Sequence, residues 1–433
     1  MGDTKSDCKY GAECYQKNPA HHAKYNHPKK VAPEELEAAA ADSKRKGQSP
    51  LNVERDSKQC KKDEKSDKND AKSDDDEPKP PRERFDISKE YREVMENASR
   101  INNLEIFQRR VRYSQEAEYQ DLLKSTEFIR HHFLVEMPED FYEFWDFCKH
   151  SVKGDQKPEK VFEKVGLKLV GPFDYLAGKF HEAKIYEPGD YLCHWRFYYD
   201  PPEMQTIFTL IGTEVHYGFW RDDPKDKEKI LIARNDSKKG CEFEFVAGNC
   251  FEALQYFLEN DVIVTPFNRV EINNLKKSLR TYMEKDDLHL SNLEALKKTR
   301  ESKVVCKTFH RAGLVVPFNR KTEIGYRTLI ESDAKLRTVL SMFENVKDKS
   351  QIGNAMEALQ PIITAANIAV DECDFGTIVE LGIDMFCSGH QILHELITQL
   401  LASGYSLLQR PQFIAVIKSH LGNRRKGNNL SIL

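Results

Sequence analysis

The stretch IFTLIGTEVHYGFWRD, residues 207–222, decides the fold class. It holds two runs rich in β-branched and aromatic residues, IFTLIG and VHYGFWRD, the composition of strands rather than helices. Similar short runs lie to either side. LKLVG starts at Leu167 and HWRFYYD at His194, while KILIARN starts at Lys229 and CEFEFVAG at Cys241, with Gly, Pro, Asp and Asn between them. Together they predict an antiparallel sheet with one buried face. Asn249 is placed to cap an amphipathic helix, CFEALQYFLEN, that would cover the sheet. Pro138-Glu139-Asp140 opens another helix, with Phe141, Phe144, Trp145 and Cys148 on one face. Helical spacing also runs through residues 87–135, around Tyr91, Val94, Ile101 and Leu104. After Pro266 a polar helical stretch leads to one strand-like segment, Gly313–Phe318, and helical patterns dominate from Asp333 onward. The predicted class is α+β, an antiparallel-sheet domain followed by an α-rich one.

The chain has 433 residues, enough for two or three domains. Lys+Arg number 66 against 70 Asp+Glu, a net charge of -4, so no overall positive field holds the protein on nucleic acid. No apolar run reaches the length of a membrane span and the N-terminus lacks an apolar signal centre, which predicts a soluble, unsecreted protein. Ten cysteines without a dense framework fit a reducing compartment, where thiols serve as core residues or metal ligands. Between Leu51 and Arg84 ten Lys/Arg and eleven Asp/Glu face only four apolar residues. Such a segment cannot offset its ordering entropy and is predicted to be a disordered tether. Lys44-Arg45-Lys46 and Lys61-Lys62 within the linker are short basic runs of the kind that serve nuclear import.

Cys8, Cys14, His21 and His27 are spaced C-x5-C-x6-H-x5-H. Two thiolates and two imidazoles complete a tetrahedral zinc shell with no position left for water, so the expected Zn2+ is structural rather than catalytic. The stretch CKYGAECYQKNPAHHAKYNHP resembles the poly(ADP-ribose)-binding zinc finger through its Tyr-Gly, Cys-Tyr, Asn-Pro and His-Pro pairs. That resemblance implies polymer binding by Tyr10, Tyr15, Gln16 and Lys17. Tyrosine faces suit adenine stacking, and six Lys against three acids over residues 1–30 suit pyrophosphate. Gln16 stands where the family carries Arg, which removes a bidentate phosphate donor.

Between Lys349 and Arg410 no Lys or Arg occurs, while Glu357, Asp371, Glu372, Asp374, Glu380, Asp384 and Glu395 are interleaved with apolar residues. Carboxylates beside a core are costly unless neutralised, so this acidic window is a candidate site. Asp371-Glu372 follows an apolar helix pattern and precedes Gly376, which places the pair at an inter-helix junction; Glu380 and Asp384 can share a face of the next helix.

Five segments carry a second resemblance: MPEDFYEFW (Met137–Trp145), HWRFYYDPPEMQT (His194–Thr206), KTFHRAGLVVP (Lys307–Pro317), GYR (Gly325–Arg327) and DECDFG with ELGIDMFC (Asp371–Cys387). Together they are similar to the histone PARylation factor 1 family over about residues 137–425. The resemblance implies an accessory factor, not an enzyme on its own. It would dock on the catalytic domain of a DNA-damage-activated poly(ADP-ribose) polymerase and complete a joint site that modifies serine, on histones among others. Carried over by position, Glu372 matches the family's catalytic glutamate. Tyr326, Arg327, Asp371 and Asp384 match polymerase-binding positions. NAD+ would enter only through the polymerase, and the implied location is the nucleus, at chromatin and sites of DNA damage. His390 receives no role, because SGHQILH departs there from the family pattern.

Two other classes compete. A self-sufficient glycosidase using Asp371 and Glu372 is disfavoured, since adjacent carboxylates rarely straddle a substrate at the separation required. A poly(ADP-ribose) reader or scaffold without catalytic contribution is the alternative. The expected organisation is a zinc finger over residues 1–30, a disordered charged linker over 31–84, the α+β domain over 85–266, and a mainly helical domain over 267–433 that carries the joint-site residues.

Overall fold

The computed structural model describes residues 6–7, 25–26, 127–182, 188–285, 291–344, 346 and 348–433. The chain divides into two units, Met1–Arg82 and Glu83–Leu433. In the first unit, β1 (Ser6–Asp7) pairs in parallel with β2 (Tyr25–Asn26), with Asp7 opposite Asn26. These are the residues immediately before Cys8 and His27. The expected zinc ligands, the polymer-binding residues Tyr10, Tyr15, Gln16 and Lys17, the linker at 31–84 and the helical pattern over 87–126 lie outside the described residues.

The second unit contains the expected antiparallel sheet: β3 (Leu167–Leu169), β4 (Met204–Leu210), β5 (Val215–Trp220), β6 (Leu231–Asp236) and β7 (Glu244–Ala247), paired in chain order. Six β-type runs thus yield five strands. HWRFYYD is not a strand: it follows a short helix, Pro188–Cys193, and turns at Trp195 with φ 54. Its polar atoms are bound individually instead of by a ladder. Asp200 accepts from Phe197 N at 3.0 Å, Thr206 Oγ1 at 2.9 Å and His216 Nε2 at 2.7 Å. His194 Nε2 and Trp195 Nε1 both bond Asp174 Oδ2, at 2.8 and 3.0 Å. A buried segment whose backbone and side chains are satisfied this way has no need of a neighbouring strand. Residues distant in sequence close the loop. Trp195 N donates to Leu430 O at 3.1 Å, Ile432 N to His194 Nδ1 at 3.2 Å, and Arg424 Nε to Tyr198 O at 2.7 Å.

Both faces of the sheet are buried, where one was expected. Ile207, Phe208, Tyr217, Phe219, Ile232 and Val246 enter the main aromatic core, while Met204, Trp220, Ala233 and Phe243 pack with Ala312 on the other side. The main core is capped by a helix at Glu139–His150, whose Phe141, Phe144, Trp145 and Cys148 are all buried as expected. Asn249 caps the helix Cys250–Tyr256 by accepting from Glu252 N at 2.9 Å. The core also takes in Ile272 and Leu279 from the helix Arg269–Lys285, past residue 266.

A second core is helical. We number its helices α1 (Asp333–Ser341), α2 (Lys349–Asp371), α3 (Phe375–Ser388), α4 (His394–Leu407) and α5 (Pro411–Gly422). Ser332 and Asp348 cap α1 and α2 through Lys335 N and Gln351 N. Gly376 to Cys387 of α3 are all buried, so α3 is the central helix, enclosed all round. This enclosure accounts for the lack of Lys and Arg within α3; the exposed face of α2, in the same window, has no such reason. A short ladder of β8 (Val304–Cys306) and β9 (Leu314–Val315) borders it, β9 falling within the expected strand-like segment. Among the described residues no helix is long and apolar enough to cross a membrane.

Candidate functional site

The site is built at the joint between α2 and α3. Helix α2 ends at Asp371, and Glu372 caps it, with its N–H reaching Ile368 O at 3.2 Å and Ala369 O at 3.1 Å. Cys373 then takes φ 72, a left-handed conformation rare for a residue with a side chain, and Asp374 N bonds Ala369 O at 2.8 Å. The chain reverses within three residues and leaves Glu372 on the outside. Asp371 is likewise exposed, as the inter-helix reading expected.

Gly325-Tyr326-Arg327 lies along the first turn of α3. Gly376 N donates to Gly325 O at 2.8 Å, Arg327 N to Thr377 Oγ1 at 3.1 Å, and Thr377 Oγ1 to Arg327 O at 2.7 Å. Glycine is required twice. At Gly325, with φ 114, a Cβ would collide with the Pro317 carbonyl oxygen, and at Gly376 it would stand 2.8 Å from Val316 Cγ2.

This backing places one guanidinium between two carboxylates. Arg327 Nε donates to Asp374 Oδ2 at 2.8 Å, and Arg327 Nη2 donates to Glu372 Oε2. Asp374 is the anchor: its side chain is 8% exposed, and its other oxygen accepts from Gly325 N at 3.0 Å. Glu372 is the presented group, 58% exposed, with Arg327 at 42%. The hydrogen bonds to Glu372 and Asp374 hold the Arg327 pKa above its ordinary value.

The expected polymerase-binding residues do not all reach the surface. Tyr326 points inward and is 8% exposed, its ring edge-on to Phe318 at 6.3 Å. Successive residues of an extended segment face opposite sides, so Arg327 projects outward while Tyr326 fills the core. Asp384 is 0% exposed, which corrects its reading as an interface acid. One oxygen accepts from Phe309 N at 2.8 Å and the other has no hydrogen-bond partner, and burial pushes its pKa well up. Glu380 shares that buried face of α3 as expected. Burial raises its pKa to about 7, against the hydrogen bonds of Cys306 and Tyr326 to the same carboxylate. His390 is partly buried beside Phe343, at 6.2 Å. Thr377 is a site residue that sequence reasoning passed over, and Asp374 was named only as one acid of the window, with no role of its own. The signal that would have singled out Asp374 was an Asp at the entry to a helical pattern; Thr377 gave none.

The model of histone PARylation factor 1 matches residues 124–424, a span that contains Arg327, Glu372 and Asp374. The chain belongs to the histone PARylation factor 1 family. The histone PARylation factor 1 of Bos taurus is 39% identical over 316 residues, covering 70% of this chain and 87% of that protein. The Danio rerio protein of that name is 38% identical over 297 residues, 68% of this chain and 84% of the relative. A putative histone PARylation factor 1-like protein of Homo sapiens is 35% identical over 310 residues, 71% of this chain and 88% of that one. Separately, the PBZ domain model matches residues 5–30. Family membership thus extends over both cores of the second unit, and the PBZ match lies outside that span.

Proposed function

We propose that this histone PARylation factor family member binds the catalytic domain of a poly(ADP-ribose) polymerase and completes a joint active site for serine. The observation that carries the reading is Glu372: an exposed carboxylate at a tight helix joint, held by an arginine that is itself fixed by a buried aspartate. A serine hydroxyl is a weak nucleophile at neutral pH. A placed carboxylate that takes its proton as the oxygen attacks the ribose carbon, while the bond from that carbon to nicotinamide breaks, contributes about 10²–10⁴ in rate. NAD+ is supplied by the polymerase, and histones are the protein substrate. In this reading Arg327 has two uses. Its planar fork suits a carboxylate on the polymerase, and by turning to that partner it frees the Glu372 lone pair that it occupies in the isolated chain. Asp371 borders the same surface, and Tyr326 acts from inside by seating Arg327.

The test is a reaction of NAD+, a polymerase catalytic domain and a serine-bearing histone peptide, with and without this protein. Serine product requires both proteins. Product from this chain alone, or none from the pair, overturns the reading.

The PBZ match supports polymer binding at the other end of the chain. Cys8, Cys14, His21 and His27 would hold a structural Zn2+. Zinc would supply the folding free energy of the finger, on the order of 10–16 kcal/mol. Tyr10, Tyr15, Gln16 and Lys17 would then meet the polymer. A chelator or Cys14→Ser should abolish polymer binding without changing the melting of residues 127–433, and Gln16→Arg should strengthen it. Polymer binding that survives zinc removal would reject the finger as the reader. The same reading places the protein in the nucleus, which imaging of the full chain would test.

A further inference from the structure

Three buried polar atoms without a hydrogen-bond partner belong to residues that line one small cavity: Glu203 Oε2, Arg221 Nη1 and Gln412 Oε1. The cavity has a volume of about 10 Å³. Glu203 and Arg221 extend β4 and β5 by one pair, since Arg221 N donates to Glu203 O at 2.9 Å beside the Met204–Trp220 pair. Residues opposed in this way carry their side chains on the same face of the sheet, as neighbours. Both are enclosed, Glu203 at 5% and Arg221 at 1% exposure, while Gln412 comes from the first turn of α5. The other polar atoms of the two charged groups are engaged. Glu203 Oε1 accepts from the Tyr405 hydroxyl of α4 at 2.7 Å, and Arg221 donates from Nη2 to Glu136 O at 2.8 Å and from Nε to Asp226 O at 3.2 Å.

We propose that this cavity binds one ordered water molecule that joins Glu203 Oε2, Arg221 Nη1 and Gln412 Oε1, and thereby ties the sheet to α5. The volume is the room that a single water needs, and three hydrogen bonds are the usual number for a buried one. The chemistry of the three atoms selects the ligand. A guanidinium nitrogen only donates, an amide oxygen only accepts, and a carboxyl oxygen accepts or, with its proton on, donates. A metal cation or an ammonium would be held against the Arg221 charge, and a halide or a carboxylate against Glu203. An apolar occupant would leave all three atoms unmet. Water accepts from Arg221, donates to Gln412, and turns to suit either state of Glu203.

That freedom to turn has a use here. Burial raises the Glu203 pKa, against the hydrogen bond from Tyr405, and lowers that of Arg221 to about 10, against the charges of Asp226 and Asp140. The guanidinium therefore keeps its charge at neutral pH, while the carboxyl beside it is drawn toward its neutral form. Glu203 also borders a second cavity of the same volume, with Trp220, Asp222 and His310. Among the described residues, none of the others lining that second cavity has a buried side-chain nitrogen or oxygen without a partner. A water there would gain one such bond, against three beside Arg221 and Gln412.

The test is a crystal structure of the full chain at atomic resolution, joined to magnetic relaxation dispersion of the solvent, which counts long-lived internal waters in solution. The crystal should show a solvent peak at about 2.7–3.2 Å from all three atoms. Gln412→Met, at a half-buried position, keeps the length of the side chain and removes one acceptor. It should lose one long-lived water relative to the unaltered chain and melt about 1–3 °C lower. The absence of a peak touching all three atoms, a peak confined to the cavity beside His310, or an equal number of long-lived waters in Gln412→Met and the unaltered chain overturns the proposal.

Discussion

Glu372 and Glu380 are the same side chain on either side of one helix start, and the fold treats them oppositely. Glu372 sits on the outer side of the α2–α3 joint, 58% exposed, with its charge met by Arg327. Glu380 sits in the body of α3, 4% exposed, and Asp384 one turn on is 0% exposed. The first keeps its carboxylate at the surface against Arg327, where the proposed role requires it to meet a substrate proton. Burial raises the pKa of the second and third, disfavouring their charge, so they belong to the core. Exposure of the carboxylates in this acidic window therefore follows position relative to the helix start, and composition alone does not separate the groups.

The largest effect should come from the exposed member. Glu372→Gln keeps size and hydrogen bonding but removes the base, so serine transfer by the joint system should fall about 10²–10⁴-fold while polymerase binding and thermal midpoint stay put. Near-normal transfer would erase the distinction drawn above. Arg327→Ala comes next: binding of the polymerase domain in calorimetry should weaken by about 2–5 kcal/mol, as for a broken interfacial charge pair, and unchanged affinity would reject Arg327 as a contact.

The buried member answers to pH. With the Glu380 carboxyl near 7 in the folded chain and at an ordinary 4.5 when unfolded, the folded state holds the proton more tightly. Stability is then full below about pH 4.5 and declines as pH rises through about 7, by roughly 3 kcal/mol in all. Glu380→Gln should flatten that decline in denaturant titrations at several pH values; a slope equal to the unaltered chain's would show the carboxyl to be ionised in the core. The smallest effect belongs to Asp384→Asn, which keeps an acceptor for Phe309 N and removes a carboxyl whose charge burial disfavours. Its stability at pH 7 should lie within about 1 kcal/mol of the parent, and its affinity for the polymerase domain should match. A large loss of affinity alone would restore Asp384 to the interface.

Much of this architecture is legible from local pattern. Alternating and aromatic runs located the five strands, Asn249 announced its helix, and the apolar run before Asp371 followed by Gly376 marked the joint that presents Glu372. What failed depended on distant partners. HWRFYYD has strand composition, but Asp174, His216 and Leu430 hold it as a loop. Tyr326 and Arg327 are adjacent in sequence, and only the packing of Phe318 and the carboxylate of Asp374 decide which one turns outward. The inward turn of Asp384 likewise depends on Phe309, far away in sequence.

The loop that ties His194 to Ile432 bridges a sequence separation of 238 residues. On a ribosome adding about 5–20 residues per second, this separation is a delay of roughly 10–50 s. Throughout it the strands already exist as sequence, but Val170, Trp195 and Phe197 lack Leu430, the residue that completes their small apolar cluster. That cluster can therefore be completed only after residue 430 has been made, so the last packing of the sheet's loop is a late event in synthesis.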